Sequence, residues 1–370
     1  MTKTILILGA GGIGGAAAQF AAESRHAGKL IIADRAIEAA QKVAERLEHA
    51  EAVAIDVTDA AALGALMARA DAVINCVGPY YRFGPPVLAA ALAAGIPYVD
   101  VCDDWEPTLD MLSHSPAAET KSLSMIIGMG ASPGTANMIA AFVANSIDNP
   151  RTLITGWSLD DDPGNPDGAA NEHWIHQATG TIRVWRDGAY VDERPLASIP
   201  VVMPGFEPRH ALTIGHPEAV TLPRVFPNLQ LCVNVMTLPG GLEVVLKRAA
   251  ALVDQDGLAL MDASRTAFSD YVPGAGPHLP VYPGVWAIAD NGTDRASAYI
   301  PDYGRMSEIN TITAAPAVAG LNLILDGKVK RSGVLAPEEA FDPSDYFTEL
   351  AAIAAVTTPF LTFVRDRVPA

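Results

Sequence analysis

Apolar residues in the first third of the chain come in short runs that do not alternate with polar ones. Thr4–Leu8, Lys29–Ala33, Ala52–Ile55, Ala72–Val77, Tyr98–Cys102 and Met125–Met129 are such runs, rich in Val, Ile and Ala. A parallel strand covered on both faces reads this way, whereas a strand with one wet face alternates. Between the runs lie segments with helical spacing. They are an alanine-rich stretch to about Glu23, Ile37–Leu47, Ala60–Ala68, Pro85–Ala94 ended by Gly95, a stretch running to about Lys121, and one from Gly134. Strand and helix in alternation predict βαβ units and an α/β doubly wound parallel sheet over residues 1–130.

The pattern changes after Pro150. Thr152–Leu159 reads as a strand and Asp160–Pro166 as an acidic turn. Thr181–Trp185 and Ala189–Asp192 flank Asp187-Gly188, a hairpin signal because both central residues of the favoured two-residue turn need positive φ. Leu229–Val235, Trp286–Asp290 and Arg295–Tyr299 add strands, and Gly241–Val253 a helix. Residues 131–310 thus read as a second, α+β domain with a mostly antiparallel sheet. Helices at Pro316–Leu325 and Pro343–Ala355 follow.

Composition narrows the function. The formal net charge of −17 repels a phosphate backbone, so nucleic acid is not an expected partner. Half of the residues are hydrophobic, enough for a large core. Ser122–Ile147 carries no charge, but its glycines, Pro133 and Asn137 favour a strand, a turn and a buried helix over a membrane span. The three cysteines (Cys76, Cys102 and Cys232) fit neither a zinc site nor a disulfide framework, and the opening strand follows no signal-peptide pattern. A cytoplasmic protein with reduced thiols and no bound metal is expected.

Gly9, Gly11 and Gly14 match G-x-G-x-x-G, with Gly12 and Ile13 between them. A strand precedes the motif, a helix follows, and Asp34 lies 20 residues after Gly14, at the end of the second strand. This is the dinucleotide fingerprint of a Rossmann domain. Gly9 permits the tight turn, Gly11 lets the backbone approach a pyrophosphate, and Gly14 allows close helix–strand packing. The helix N-terminus offers free N–H groups to the phosphates. Asp34 would accept from the adenosine ribose, which favours NAD; Arg35 beside it suits a 2′-phosphate, so NADP stays open. The alternative is a glycine turn that only shapes the core. Asp56-Val57 and Cys76-Val77-Gly78 follow the third and fourth strands, where ligands of open α/β sheets bind. Asp56 also suits a helix cap, as do Thr58 and Asp59.

Several segments together resemble the saccharopine dehydrogenase-like family: the opening GAGGIGG, NCVGPYYRFGPPVLAAALAAGIPYVDVCDD (75–104), GASPGTAN (130–137), IGHPEAVTLPRVFP (214–227) and GVLAPEEAFDP (333–343). Within it the chain is similar to the shorter bacterial enzymes, among them lysine epsilon-dehydrogenases, on the strength of Asp100-Val-Cys-Asp-Asp104. The resemblance implies an inserted substrate domain, C-terminal helices (311–370) returning to the Rossmann domain, and a homodimer. It also implies nicotinamide-linked hydride transfer at a carbon–nitrogen bond of an amino acid or opine-like amine. The family is functionally mixed, so a polyamine or C–C substrate, or a catalytically silent dinucleotide-binding subunit, stays open.

Three groups of residues are candidates for the chemistry. The resemblance brings Tyr80, Tyr81 and Arg82 near the nicotinamide and substrate. Tyr81 would bond the reacting nitrogen, and Arg82 would hold a carboxylate in a bidentate pair. The alternative is a capped helix start with an aromatic lid. Asp103 and Asp104 are adjacent carboxylates whose pKa values can be forced apart; Asp103 is read as the acid–base and Asp104 as a substrate ligand, while either can cap the next helix. His173 and His176 share a helix face at i,i+3. His173 is read as an acid–base and His176 as a substrate ligand, against two structural histidines. His216, Glu218 and Arg224 are weaker candidates for the same cleft.

Overall fold

The computed structural model describes residues 2–159, 169–274, 279–356 and 360–368. The Asp160–Pro166 turn read from the sequence lies outside them. The chain forms two compact units, Met1–Met138 with Asp302–Phe360, and Ile139–Pro301 with Leu361–Ala370.

The first unit carries six strands in chain order: β1 (Lys3–Leu8), β2 (Ala27–Asp34), β3 (Ala50–Ala54), β4 (Ala72–Asn75), β5 (Tyr98–Asp100) and β6 (Ser124–Ile126). They pair in parallel in the order β6-β5-β4-β1-β2-β3. Ile5–Leu8, Leu30–Ala33, Ala72–Ile74 and Tyr98–Val99 are almost wholly buried, as a sheet sandwiched between helices requires. Sequence reasoning missed a seventh strand, Gly333–Leu335, which adds beside β6. The sheet is the doubly wound Rossmann arrangement. Its order reverses between β1 and β4, where such sheets open a crevice at their carboxyl edge.

The connecting helices are α1 (Gly12–Ala22), α2 (Ile37–Ala44), α3 (Ala60–Met67), α4 (Tyr80–Ala94), α5 (Trp105–Leu112), α6 (Ser115–Thr120) and α7 (Thr135–Asn145). Two differ from the sequence reading. The helix expected to run to Lys121 is broken into α5 and α6, the second starting with Pro116 in its first turn. Helix α4 begins at Tyr80 rather than Pro85, so Pro85 and Pro86 lie inside it. Its far end stops at Gly95 in the left-handed region (φ 73°), as expected. The helix Ile309–Leu325 packs along α1. Ser24 donates to Asn322 at 2.6 Å, and Arg25 pairs with both Asp326 and Glu349.

The second unit is built on a nine-stranded sheet. All its pairings are antiparallel except that of Leu231–Thr237 with Thr152–Ser158, so it is mostly antiparallel, as read. Helices Ala169–Gln177, Gly240–Asp254 and Leu260–Phe268 share one apolar cluster with Leu212, Ile214 and Met236. A second cluster contains Val233, Val235, Tyr282, Trp286 and Ile288. Asp187 and Gly188 both take positive φ (51° and 78°) and close the expected hairpin. The exposed Thr362–Arg367 forms an edge strand on Asp294–Tyr299, which sequence reasoning also missed.

Candidate active site at the carboxyl edge of the parallel sheet

The glycine loop leaves β1 and turns into α1. Gly9 has φ 89°, and a Cβ there would stand 2.9 Å from the Cys76 carbonyl oxygen. A Cβ on Gly14 would overlap the Gly9 carbonyl, so α1 rests directly on the loop that starts it. Gly11 differs. It occupies the N-cap of α1 with no side-chain cap, and a Cβ there would meet nothing within 4 Å. The first turn of a helix leaves its N–H groups without intrahelical acceptors. Here they sit behind an open position with the positive end of the helix dipole, which fits an anionic group. Gly12 opens α1 against Asn310, and Ile13 is half-buried behind it.

Asp34 ends β2 half-buried. One carboxylate oxygen accepts the Ala10 N–H at 2.7 Å and the other the Ala36 N–H at 2.8 Å, tying the glycine loop to the second strand. Each oxygen keeps acceptor capacity for a sugar hydroxyl. Arg35 is exposed next to it. Asp59, not Asp56, caps α3, accepting from Ala61 and Ala62. Asp56 instead accepts from the Thr58 hydroxyl (2.7 Å) and N–H (2.9 Å). Those bonds, with Arg35 and Arg82 nearby, hold its carboxyl below the usual range. Val57, Thr58, Arg82 and Phe83 are among the residues that line a largely apolar groove of about 810 Å³ between α3 and α4.

Beyond the reversal point, the loops after β4, β5 and β6 are joined through buried polar groups. Asn75 Nδ2 donates to the Tyr98 hydroxyl (3.0 Å), which donates to Asp100 (2.7 Å). Asp100 also accepts the N–H groups of Cys102 (3.0 Å) and Gly128 (2.7 Å). Burial pushes the Asp100 carboxyl up to about 6 against these bonds. It also pushes the Cys76 thiol up to about 12, so Cys76 is not a thiolate nucleophile near neutrality. Tyr80 is buried and donates to the Asn75 carbonyl at 3.0 Å, which spends its hydroxyl on the loop itself. Val77 is held by Asn75, and Gly78 is exposed.

Tyr81 and Arg82 stand in the first turn of α4, Tyr81 with 51% of its surface exposed. Asp104 occupies the N-cap of α5, yet its carboxylate does not cap that helix. It accepts the Tyr81 N–H of α4 at 3.3 Å, which corrects the cap expected from sequence. Asp104 is buried and Asp103 beside it is half-buried.

In the second unit, His173 and His176 share a face of helix Ala169–Gln177, their rings 6.4 Å apart. His173 Nε2 lies 2.7 Å from Gln177 Nε2. His216 is buried with Nδ1 3.0 Å from Glu218, and Asn234 donates to the same carboxylate at 3.1 Å. These three make an internal polar cluster, while Arg224 is exposed.

Residues 5–124 match the family model described as the saccharopine dehydrogenase NADP binding domain. A Mycobacterium tuberculosis protein named as a trans-acting enoyl reductase is 35% identical over 124 residues, 31% of this chain and 29% of that protein. The saccharopine dehydrogenase-like oxidoreductase of Rattus norvegicus is 25% identical over 170 residues, 45% of this chain and 38% of that one. The chain therefore spans only 29% and 38% of the length of these two relatives. The fold matches apo saccharopine dehydrogenase (L-Glu forming) from Saccharomyces cerevisiae with a TM-score of 0.69 at 15% identity, over 98% of this chain and 100% of that one. The open position at Gly11 and the bare first turn of α1 fit the dinucleotide that such a domain takes. Residues 5–124 thus form a domain of the saccharopine dehydrogenase NADP binding type, and the chain shares the fold of saccharopine dehydrogenase.

Proposed function

We propose that this protein is an NAD(P)-dependent oxidoreductase acting at a C–N bond of an amino acid or opine-like secondary amine. The observation that carries the reading is the crevice between β1 and β4. A glycine loop open at Gly11 forms one wall, and α4 opens on the other with Tyr81 and Arg82 exposed in its first turn. The bound nicotinamide supplies the hydride acceptor or donor. Gly9, Gly11, Gly12, Ile13 and Gly14 hold the pyrophosphate. Asp34, Arg35, Asp56 and Val57 surround the adenosine, and Cys76, Val77, Gly78 and Tyr80 form the floor under the other half.

Tyr81 bonds the substrate nitrogen and Arg82 its carboxylate. Asp103 moves the proton, and buried Asp104 fixes the Tyr81 backbone while offering its remaining capacity to a substrate ammonium. His173 is a second acid–base group, and His176 a substrate ligand on the same helix face. We assign the protein to the cytoplasm as a homodimer. The test is a spectrophotometric screen of amines, amino acids and keto-acid/amine pairs with both coenzymes. Coenzyme binding without turnover of any C–N substrate would overturn the assignment. The likeness to a protein named for enoyl reduction supports a second reading, a C=C substrate, so enoyl thioesters belong in the same screen.

A further inference from the structure

Asp100 is completely buried at the end of β5, and among the described residues no cationic side chain is hydrogen-bonded to it. The groups facing it are Tyr98, Tyr80, Cys76, Cys102 and Asp103, none of them positive. An apolar side chain would cost less to bury there. What the carboxylate does is hold two N–H groups from different loops on one oxygen, Cys102 after β5 and Gly128 after β6. Gly128 is suited to this. It takes φ 68°, and a Cβ would stand 2.9 Å from Pro133 and 3.1 Å from the Cys102 carbonyl. The other Asp100 oxygen accepts from Tyr98, whose hydroxyl accepts from Asn75, the last residue of β4, which in turn accepts the Val77 N–H of the loop that follows. One carboxylate therefore ties together the loops after three adjacent strands.

A doubly wound sheet binds a dinucleotide in two halves, the adenosine side at β1–β3 and the nicotinamide side at β4–β6. All the Asp100 bonds fall on the second side. We propose that Asp100 is a positioning residue for the nicotinamide half of the cofactor site, setting the loops after β4, β5 and β6 through the Tyr98–Asp100–Gly128 bonds. The inference rests on the cofactor reading above. Asp100 touches neither cofactor nor substrate. It acts through the loops that carry Cys76–Gly78 and Asp103–Asp104.

The experiment compares a whole cofactor with a piece of it in the full-length protein. Dissociation constants for NADPH and NADH are measured by fluorescence, and those for ADP-ribose and its 2′-phosphate by calorimetry. Asp100→Ala is expected to weaken the complete dinucleotide by about tenfold or more while changing the fragments less than about twofold. Asp100→Asn keeps an acceptor for both N–H groups and restores binding to within about threefold of wild type. Equal losses for dinucleotide and fragment mark a merely structural residue and overturn the proposal, as does unchanged dinucleotide affinity. If Asp100→Ala does not fold, Tyr98→Phe decides, with a selective loss of about threefold expected and an equal or absent loss overturning it. Wild-type protein that binds neither coenzyme nor fragment removes the cofactor reading itself, a result distinct from either of these.

Discussion

Asn137 Nδ2 donates to the Glu338 carboxylate at 2.9 Å across 201 residues of sequence, and both side chains are buried. The Asn137 Oδ1 accepts the N–H of Gly134, which at φ 114° turns the chain into α7. Two segments far apart in the chain, 130–137 and 333–343, thus meet at one polar contact. Thr135 and Tyr346 add a second, their hydroxyls 2.6 Å apart. Removing one partner of a buried charged hydrogen bond leaves the other desolvated, which costs more than the bond contributes. Asn137→Ala is therefore expected to destabilise the first unit by about 2–4 kcal/mol, read as a lower urea midpoint. Glu338→Gln, which removes the charge but keeps an acceptor, should cost clearly less. Equal costs would show that the charge has no part in the contact.

The glycines of the first loop predict opposite phenotypes. Gly14→Ala places a methyl on the Gly9 carbonyl, a backbone atom that cannot swing aside. It is expected to lower the melting temperature along with coenzyme affinity. At Gly11 the space is open. Gly11→Val should leave the melting temperature within a few degrees of wild type while weakening coenzyme by about tenfold or more, because the new side chain fills the phosphate position. A Gly11→Val protein that binds coenzyme normally contradicts the phosphate assignment.

Arg35 is exposed just after β2, near enough to Asp56 to act on it electrostatically. A guanidinium so placed suits a 2′-phosphate, for which a charge-assisted hydrogen bond contributes about 1.5–3 kcal/mol. Arg35→Ala should thus weaken NADPH about tenfold or more and leave NADH nearly unchanged. Asp34 complicates the choice, because its carboxylate also holds the Ala10 N–H. Asp34→Ala is expected to weaken both coenzymes by loosening the loop, whereas Asp34→Asn keeps the acceptor and reports on charge alone. Matched titrations of the two coenzymes separate these outcomes.

How far the sequence carried depends on whether a signal was local. The strands β1 to β6 were legible because burial on both faces leaves uninterrupted apolar runs. Gly95 and Asp187-Gly188 were legible because positive φ selects residue type at one position. The strand Gly333–Leu335 was not, since three residues carry no periodicity and its partner β6 is far away in sequence. Thr362–Arg367 was missed because an exposed, charged edge strand lacks an apolar run. The start of α4 was misplaced by its prolines. Pro85 and Pro86 lack the N–H groups that the Tyr81 and Arg82 carbonyls would bond, and the helix tolerates this because its first turn is exposed there. At the site, Asp103 and Asp104 drew attention as a pair. Asp100 stood only as the first residue of the Asp100–Asp104 run and received no role, because its place comes from Gly128 and Tyr98 reaching it in three dimensions.

The acid limb of stability gives a test of Asp100 that needs no substrate. Its carboxyl is raised from 3.8 to about 6 by burial, so the folded state holds this proton more tightly than the unfolded chain. The stability this contributes is fully present below about pH 4 and is lost as pH rises through about 6. A rise of that size corresponds to about 3 kcal/mol at most. Asp100→Asn removes the titration while keeping an acceptor for Cys102 and Gly128. Other carboxylates titrate in the same range, so the quantity to follow is the difference in unfolding free energy between wild type and Asp100→Asn. Wild type should lose ground steadily relative to the variant between about pH 4 and pH 6, and the difference should be flat above about pH 7. A pH-independent difference would mean that the three donors outweigh burial and hold Asp100 ionised throughout. The Tyr98 hydroxyl would then be stabilising a permanent charge, and Tyr98→Phe would destabilise the protein most at neutral pH.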